Sequence, residues 1–269
     1  MAESLIEMLS LEPIEVNLFR GRAPQGQGPR IFGGLVIAQA LLAAYRTVET
    51  RLCHSLHCYF IRPGDPAVPI LYEVDRARDG RSFTTRRVTA IQHGEQIFNL
   101  AASFQDAEPG AEHQDPMPDL PTPDVLLGDP RQGDGSRPIE IKPVEKDWGA
   151  PGASSSTQNI WMRAVEDLGE DPVLNQAVIA YASDMSFLST SMRPHGWTWQ
   201  TPGLQSASLD HVIWFHRPSR FNDWHLYAQR SPSSSGARGM NLGAVYHCDG
   251  TLVATTAQEG LIRRRPPKG

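Results

Sequence analysis

The chain has 269 residues, of which 40% are hydrophobic and 20% charged, so it can bury a sizeable core. Its 25 basic and 30 acidic residues give a formal net charge of −5, which argues against a general attraction to nucleic acid or to an anionic membrane. The three cysteines form no CxxC and no zinc-ligand spacing with histidine. We therefore predict no disulfide framework, no metal and no other cofactor.

The two chain ends carry no recognisable targeting signal. Residues 1–13, MAESLIEMLSLEP, are acidic and lack the basic and apolar stretches of a secretory signal. The final residues, RRRPPKG, do not match an SKL-type peroxisomal signal, and no apolar run approaches the ~18 residues that span a membrane. We expect a cytoplasmic protein without stable membrane association and without a nucleic-acid partner.

The first half predicts one buried helix and an antiparallel meander. Residues 14–22 predict a strand, and residues 31–48, IFGGLVIAQALLAAYRTV, predict a helix that is apolar on nearly every side and therefore buried. Gly33 and Gly34 at its start allow another backbone to approach closely. Strands rich in β-branched and aromatic residues follow, with hairpin signals at Asp79-Gly80 and His93-Gly94: 55–63, 70–80, 82–94 and 95–105.

The second half repeats this order after a segment of different composition. Residues 109–136 are rich in Pro, Asp and Gly and predict a linker or a long crossover. A second apolar helix is predicted over 174–192, and the Ser-rich segment 231–239 predicts a hairpin loop. The remaining ordered runs are 138–148, 158–168, 206–218, 224–231, 237–250 and 251–263.

Short matches in the same order indicate that the two halves are copies of one fold. VIAQA (36–40) matches VIAYA (178–182), and SLHCYFIRP (55–63) resembles SLDHVIWFHRP (208–218). We predict an α+β double hot-dog: two domains, each a long helix wrapped by an antiparallel sheet, with the sheets paired edge to edge. The predicted boundaries are 8–108 for the first domain, 109–136 for the linker and 137–265 for the second domain, which carries the catalytic residues.

A carboxylate in the second helix has no counterpart in the first helix. Asp184 shares a helix face with Ala177, Tyr181 and Leu188, so it points out of an apolar stripe, and the matching residue of the first helix is Leu42. A buried unpaired carboxylate is costly. Asp184 therefore has either a structural partner, as a cap or an ion pair, or a chemical role as a general base.

Two further polar residues of the second half complete a possible water site. Gln258, on the last strand, matches Ala102 of the first half, although a solvated strand residue would look the same. Ser208 matches Ser55, so this comparison does not distinguish a site hydroxyl from a strand-edge hydroxyl. Together with Asp184, these groups can hold one water and deprotonate it without a covalent nucleophile.

Six longer motifs follow one another in order along the chain: IFGGLVIAQAL, HSLHCYFIRPGDP, YASDMSFL, MRPHG, SLDHVIWFHRP and VATTAQEGLIR. In these motifs the chain resembles the bacterial thioesterase II (TesB-type) acyl-CoA thioesterases and their peroxisomal relatives, from about residue 10 to residue 265. The resemblance implies a double hot-dog fold that hydrolyses acyl-CoA to free fatty acid and CoA. It also implies a catalytic trio of Asp184, Ser208 (Thr or Ser in the family) and Gln258.

The implied reaction needs contacts to the substrate as well as a base. Asp184 would act as general base on a water that Ser208 and Gln258 position, and backbone N–H groups near a helix start would stabilise the oxyanion. Candidate substrate-binding residues are Gly33, Gly34, His57 and Arg238, of which Arg238 could meet the CoA phosphates. By analogy with the family we expect a homo-oligomer, a dimer or higher.

Other functions fit the sequence less well. Asp210 and His211 look like a catalytic pair, but adjacent strand residues face opposite ways. No GxSxG motif of a serine hydrolase occurs. A hot-dog hydratase or dehydratase would need a carboxylate and a histidine at one substrate carbon, and a non-catalytic acyl-CoA-binding protein would be expected to lack one of the trio. A panel of acyl-CoA chain lengths in a thiol-release assay would distinguish these functions.

Overall fold

The fold is given by a computed structural model that describes residues 4–24, 28–129 and 137–265. In the first half the elements are α1 (Leu5–Leu9), β1 (Glu12–Glu15), β2 (Leu18–Gly21), α2 (Gly33–Tyr45), β3 (Leu52–Phe60), β4 (Ile70–Asp79), β5 (Phe83–Gln92) and β6 (Glu95–Gln105). In the second half they are β7 (Ile139–Pro143), β8 (Thr157–Ala164), α3 (Pro172–Ser183), α4 (Ser189–Met192), β9 (Leu204–Ser208), β10 (Asp210–Phe215), β11 (His225–Ser235), β12 (Arg238–His247) and β13 (Leu252–Arg264).

The strands of the described residues form one antiparallel sheet that joins both halves. Its order is β1-β2-β4-β5-β6-β3-β10-β13-β12-β11-β8-β7, with β9 paired to β13. The halves meet where β3 pairs with β10, as in the pair Cys58 and His211. The predicted edge-to-edge pairing is therefore present, and it satisfies the backbone groups of two strands that would otherwise be open edges.

The two long helices lie side by side beneath this sheet. Almost every residue of α2 and α3 is buried, as the all-round apolar sequences predicted. The helices run in opposite directions: the start of α2 at Gly34 meets Tyr181 near the end of α3, while Tyr45 near the end of α2 hydrogen-bonds Gln176 near the start of α3. Each helix end thus lies beside an end of the other helix.

The predicted linker crosses the second half of the sheet. Within its described part, Gln114 is bonded to the backbone of Leu252, and Pro121 accepts from the indole of Trp161. Met117 packs against the same cluster of apolar side chains. Residues 130–136 of this segment lie outside the described residues, and the domain boundaries 8–108 and 137–265 stay predictions.

Three predicted elements differ from the structure. Residues 14–22 form a hairpin rather than one strand, because Asn17 takes a left-handed conformation with φ 62°. The predicted helix 174–192 ends at Ser183, and Ser186 turns the chain with φ 61° before α4. The Ser-rich segment 231–239 is mostly strand, because a tight turn at Gly236-Ala237, both left-handed, suffices to join β11 to β12.

The strand register aligns the two halves more accurately than the short motifs do. Phe60 pairs with Phe98 in the first half, as Phe215 pairs with Ala254 in the second. Counted back from these residues, Ser208 on Gly260 takes the place of Cys53 on Phe104. The predicted match of Ser208 to Ser55 was therefore wrong, because aligning the two Ser-Leu pairs sets the strands two residues away from the register that they actually keep.

Candidate active site

A cavity of about 300 Å³ opens where the start of α2 meets the end of α3. Its walls come from both halves of the chain. Asp184 and Ser208 of the second half line it together with Gly33 and Phe60 of the first half. The cavity at the junction of the two halves therefore has both polar and apolar side chains on its walls.

Asp184 is the residue at which α3 ends. It is the C-cap of the helix rather than a residue inside it, so the predicted helix face with Leu188 is not formed. Its carboxylate is half-buried and accepts hydrogen bonds from the Gln258 side chain and the Gly34 backbone N–H. Burial raises the pKa of Asp184 above its usual value, and the hydrogen bonds from Gln258, Gly34 and Ser208 oppose that rise. A carboxylate with a raised pKa is a better base than an exposed one.

Gln258 lies on β13 with its side chain turned in towards α3. It is 1% exposed, and its Nε2 donates to Asp184 Oδ1 at 2.7 Å and to the Nδ1 atom of His211 at 3.0 Å. Among the described residues its Oε1 has no hydrogen-bond partner. The amide is thus held by its nitrogen, with one N–H donated to the carboxylate and the other to the imidazole.

Ser208 is the last residue of β9, just before the interruption that separates β9 from β10 along their common partner β13. Its hydroxyl donates to Asp184 Oδ1 over 3.5 Å, a long and weak bond. The interruption between β9 and β10 is stabilised by Asp210, whose carboxylate accepts from the Glu259 backbone N–H at 2.6 Å. This local irregularity brings the hydroxyl to the same carboxylate oxygen that Gln258 contacts.

The glycine pair at the start of α2 makes this approach possible. A Cβ on Gly33 would lie 2.7 Å from Asp184 Oδ2, and a Cβ on Gly34 would overlap the carbonyl oxygen of Tyr181. Any larger side chain would therefore push the two helices apart. The close backbone approach predicted from the sequence is present, and it is made to α3.

We expect Gly34→Ala to destabilise the protein by about 1–3 kcal/mol, because overpacking against a backbone carbonyl cannot relax locally. It should also lower kcat, since the Gly34 N–H would move away from Asp184. Gly110→Ala is the matched control, because nothing lies within 4 Å of a Cβ there. Urea unfolding and steady-state kinetics of both variants measure the two effects, and equal behaviour of the pair would contradict the packing argument.

Of the four predicted substrate-binding residues, Gly33 lines the cavity, Gly34 donates its backbone N–H to Asp184, and the other two do not reach the cavity. His57 points out of the opposite face of the sheet, because its strand neighbours Leu56 and Cys58 face inward, and its ring contacts Trp214 edge-on at 5.4 Å. Arg238 lies at the start of β12, away from the cavity lining, and is paired with Glu259 at 2.9 Å. The structure does not bring either side chain to Asp184.

Two arginines that the sequence reasoning passed over line the cavity instead. Arg30 comes just before α2 and Arg62 follows β3. Arg62 is exposed and held by Glu95 at 3.1 Å. The sequence signal for Arg62 is the Arg62-Pro63 pair, which recurs at Arg217-Pro218 in the second half.

The corresponding place in the first half lacks the polar groups. The positions of Asp184, Ser208 and Gln258 are taken there by Leu42, Cys53 and Ala102. A second cavity of about 520 Å³ lies beside Leu42 and is lined by Asp171 and Tyr45 among others. The side chain of Gln176 fills the space between these helix ends by bonding Tyr45 and the Cys53 carbonyl. The carboxylate, hydroxyl and amide therefore occur together at one helix junction and not at the other.

Comparison with known proteins shows the family to which the chain belongs. A family model described as acyl-CoA thioesterase matches residues 130–261, and one described as the acyl-CoA thioesterase N-terminal domain matches residues 22–105. The human protein named acyl-coenzyme A thioesterase 8 is 42% identical over 96% of this chain and 88% of its own length. The chain belongs to the acyl-CoA thioesterase family. It is a thioester hydrolase, as the motif resemblance predicted.

Other relatives support the same fold for this thioesterase. Acyl-CoA thioesterase 2 of Haemophilus influenzae is 38% identical over 97% of both chains. The crystal structure of acyl-CoA thioesterase II TesB2 from Mycobacterium marinum is 42% identical and superposes with a TM-score of 0.85 over 98% of both chains. The predicted double hot-dog architecture is confirmed by these structural relatives and by the sheet order.

The described part of the thioesterase has neither a membrane-spanning helix nor a metal cluster. No helix there is long and apolar enough to cross a membrane. No group of three or more His, Cys, Asp or Glu side chains among residues 4–24, 28–129 and 137–265 is arranged to hold a metal ion. The cytoplasmic location stays a prediction.

Proposed function

We propose that this thioesterase hydrolyses acyl-CoA by activating a water at Asp184, with Ser208 and Gln258 positioning that water. The observation that carries the proposal is the convergence of a hydroxyl and an amide N–H on one carboxylate oxygen, Asp184 Oδ1, at the wall of a cavity. The raised pKa of Asp184, caused by burial, supports a role as proton acceptor.

In the proposed reaction the thioester carbonyl lies in the cavity next to Asp184. The carboxylate takes a proton from the water as the water oxygen attacks the carbonyl carbon, which forms a tetrahedral oxyanion. The backbone N–H of Gly33 is our candidate donor to the oxyanion, because the first N–H groups of a helix have no intrahelical acceptor and sit at its positive end. Collapse of the intermediate expels the CoA thiolate, and the proton held by Asp184 is passed to it.

The nucleotide part of CoA is anionic and needs basic partners. We propose that Arg30 and Arg62 at the cavity bind it, in place of Arg238, because they line the same cavity as the base. The apolar residues Val36, Ile97 and Phe98 on the cavity wall suit an acyl chain. Homo-oligomerisation stays a prediction, and sedimentation velocity measures it.

Hydration of an enoyl thioester is the second reaction considered for a hot-dog fold. His211 is the histidine near Asp184, but it is fully buried behind Gln258 and does not line the cavity. A carboxylate and a histidine therefore do not face one substrate carbon. Release of free thiol from saturated acyl-CoA supports hydrolysis, whereas consumption of enoyl-CoA without thiol release would contradict it.

Ser208 is the residue that distinguishes a positioned water from a serine nucleophile. Because its bond to Asp184 is long, we expect Ser208→Ala to lower kcat only about tenfold, or ~1.4 kcal/mol. Ser208→Thr keeps the hydroxyl and should retain nearly full activity. The thiol-release assay checks both variants, and loss of all measurable turnover in a folded Ser208→Ala protein would point to covalent catalysis instead.

A further inference from the structure

Behind the candidate trio lies a buried histidine whose two ring nitrogens are both hydrogen-bonded. His211 faces inward from β10 and is 0% exposed. Its Nδ1 lies 3.0 Å from Gln258 Nε2, and its Nε2 lies 2.9 Å from Ser183 Oγ. Ser183 is the last residue of α3, immediately before Asp184. A chain of bonds thus runs from the helix end through the imidazole to the amide that contacts the base.

The direction of each bond follows from the number of hydrogens available. Ser183 donates its one hydroxyl hydrogen to the carbonyl oxygen of Ala180 at 3.0 Å. Its oxygen must therefore accept the N–H of His211 Nε2, and a neutral imidazole then presents Nδ1 as an acceptor. Burial lowers the pKa of His211 to about 3, so the ring is neutral above that pH.

An acceptor at Nδ1 determines how the Gln258 amide can be oriented. Only the NH2 group of Gln258 can face it, and the second hydrogen of that group is donated to Asp184 Oδ1. Rotating the amide by half a turn would set its oxygen against the carboxylate and against the Nδ1 lone pair. The observed orientation is kept even though it leaves Gln258 Oε1 without a partner among the described residues, which is costly for a buried oxygen.

The first half shows that packing alone does not require a histidine at this position. The register places Leu56 where the second half has His211, and Ala102 where it has Gln258. Leu56 is as completely buried as His211. The imidazole therefore occurs together with the polar site and is absent where the site is absent.

We propose that His211 is a positioning residue: by accepting one N–H of the Gln258 amide at Nδ1, it holds the other N–H towards Asp184. The inference rests on the proposed function of Asp184 as base. The other titratable groups near His211 and Asp184 are Asp210, Cys58, Tyr181 and Tyr227. Burial raises the pKa of each of them. These groups are unchanged in the variants below, so a difference between pH profiles reports on Asp184.

The test compares two replacements of His211 that differ in one acceptor. Asn carries its side-chain oxygen close to the position of Nδ1, whereas Leu has no acceptor and matches the first half. We expect His211→Leu to lower kcat about 10–100-fold with KM changed less than about threefold. We also expect its acidic limb of kcat/KM to move to higher pH, because Asp184 loses a well-placed donor. His211→Asn should stay within about fivefold of the parent kcat with an unshifted limb.

His225→Leu is the matched control. His225 is also fully buried, its ring nitrogens bond Ser219 Oγ at 2.7 Å and the Asp223 carbonyl at 2.9 Å, and it lies away from the cavity. It should lose stability and keep kcat. Full kcat in His211→Leu, or equal losses in the Leu and Asn variants without a shifted limb, would overturn the inference. Asp184→Asn would still show its large loss of kcat in that case, so the proposed function would survive.

Nitrogen-15 NMR of the unsubstituted protein tests the same inference without a risk of misfolding. We expect the His211 ring to show a protonated Nε2 and an unprotonated Nδ1 from about pH 5 to pH 8, because its pKa is lowered by burial. A protonated Nδ1, or an imidazolium in that range, would overturn the inference, because neither could accept from Gln258.

Discussion

Asp184→Asn is expected to lower kcat by roughly 10²–10⁴-fold, the usual contribution of a general base. Asn is isosteric and can still accept the hydrogen bond from Gln258, so the site should keep its shape while it loses the proton acceptor. A thiol-release assay at saturating acyl-CoA measures the loss. Asp171→Asn is the matched control at the other end of α3, where Asp171 caps the helix and Asn caps equally well. It should keep kcat.

The same substitution should not destabilise the protein at neutral pH. Because the folded-state pKa of Asp184 is raised, the folded chain binds the proton more tightly than the unfolded chain, and stability falls as pH rises through that window. The neutral amide of the Asp184→Asn variant does not ionise and escapes this loss. We therefore expect the melting temperature of the variant to equal or exceed that of the parent at pH 7, with the difference shrinking as pH falls below the raised pKa. Lower stability at pH 7 would contradict the assigned shift.

Gln258→Ala is expected to lower kcat about 10²–10³-fold, which is the usual effect of removing one preorganised hydrogen-bond donor from an enzyme active site. Its hydrogen bond is also the largest influence that lowers the pKa of Asp184. Removing it should therefore raise that pKa further and move the acidic limb of kcat/KM to higher pH. A pH–rate profile of the variant measures both effects.

Gln229→Ala controls for the loss of a buried amide. Gln229 lies on β11, is 2% exposed and bonds Gln158 and Thr190 rather than Asp184. It should keep the parent kcat and the parent pH profile, whatever it costs in stability. A Gln258→Ala variant with lower kcat but an unshifted acidic limb would separate Gln258 from the ionisation of Asp184.

Most of the fold could be predicted from the sequence because local sequence patterns indicate its helices and hairpins. Two helices that are apolar all round must both be buried, and strands that end in X-Gly turns must form hairpins. The end of α3 was missed for a physical reason. Residues 174–192 contain no Gly or Pro that would mark a helix end. The helix nevertheless ends at Ser183, and Ser186 then turns the chain with a left-handed conformation that no sequence rule demands of a serine.

Candidate site residues could be predicted where one half has a polar side chain and the other an apolar one. They could not be predicted where the pairing of strands determines which side chains meet. The replacement of Leu42 by Asp184 is visible when the sequences of the two helices are aligned. Ser208 corresponds to Cys53 rather than to the predicted Ser55, because the strand pairing, which a short motif match does not contain, sets the register. His57 was predicted to bind substrate, although strand alternation turns it to the far face. Strand alternation argues against Asp210 and His211 as a catalytic pair. It does not reveal the contact of His211 with Gln258, because that contact depends on the β10–β13 register.

Rapid-quench analysis of a single turnover tests most directly the claim that a water attacks the thioester. Enzyme in excess is mixed with acyl-CoA, and CoA, free acid and the intact protein mass are followed together. We predict that CoA and acid appear at the same rate and that no protein carries the mass of the acyl group. A burst of CoA ahead of the acid, with an acyl adduct on Asp184 or Ser208, would contradict the account.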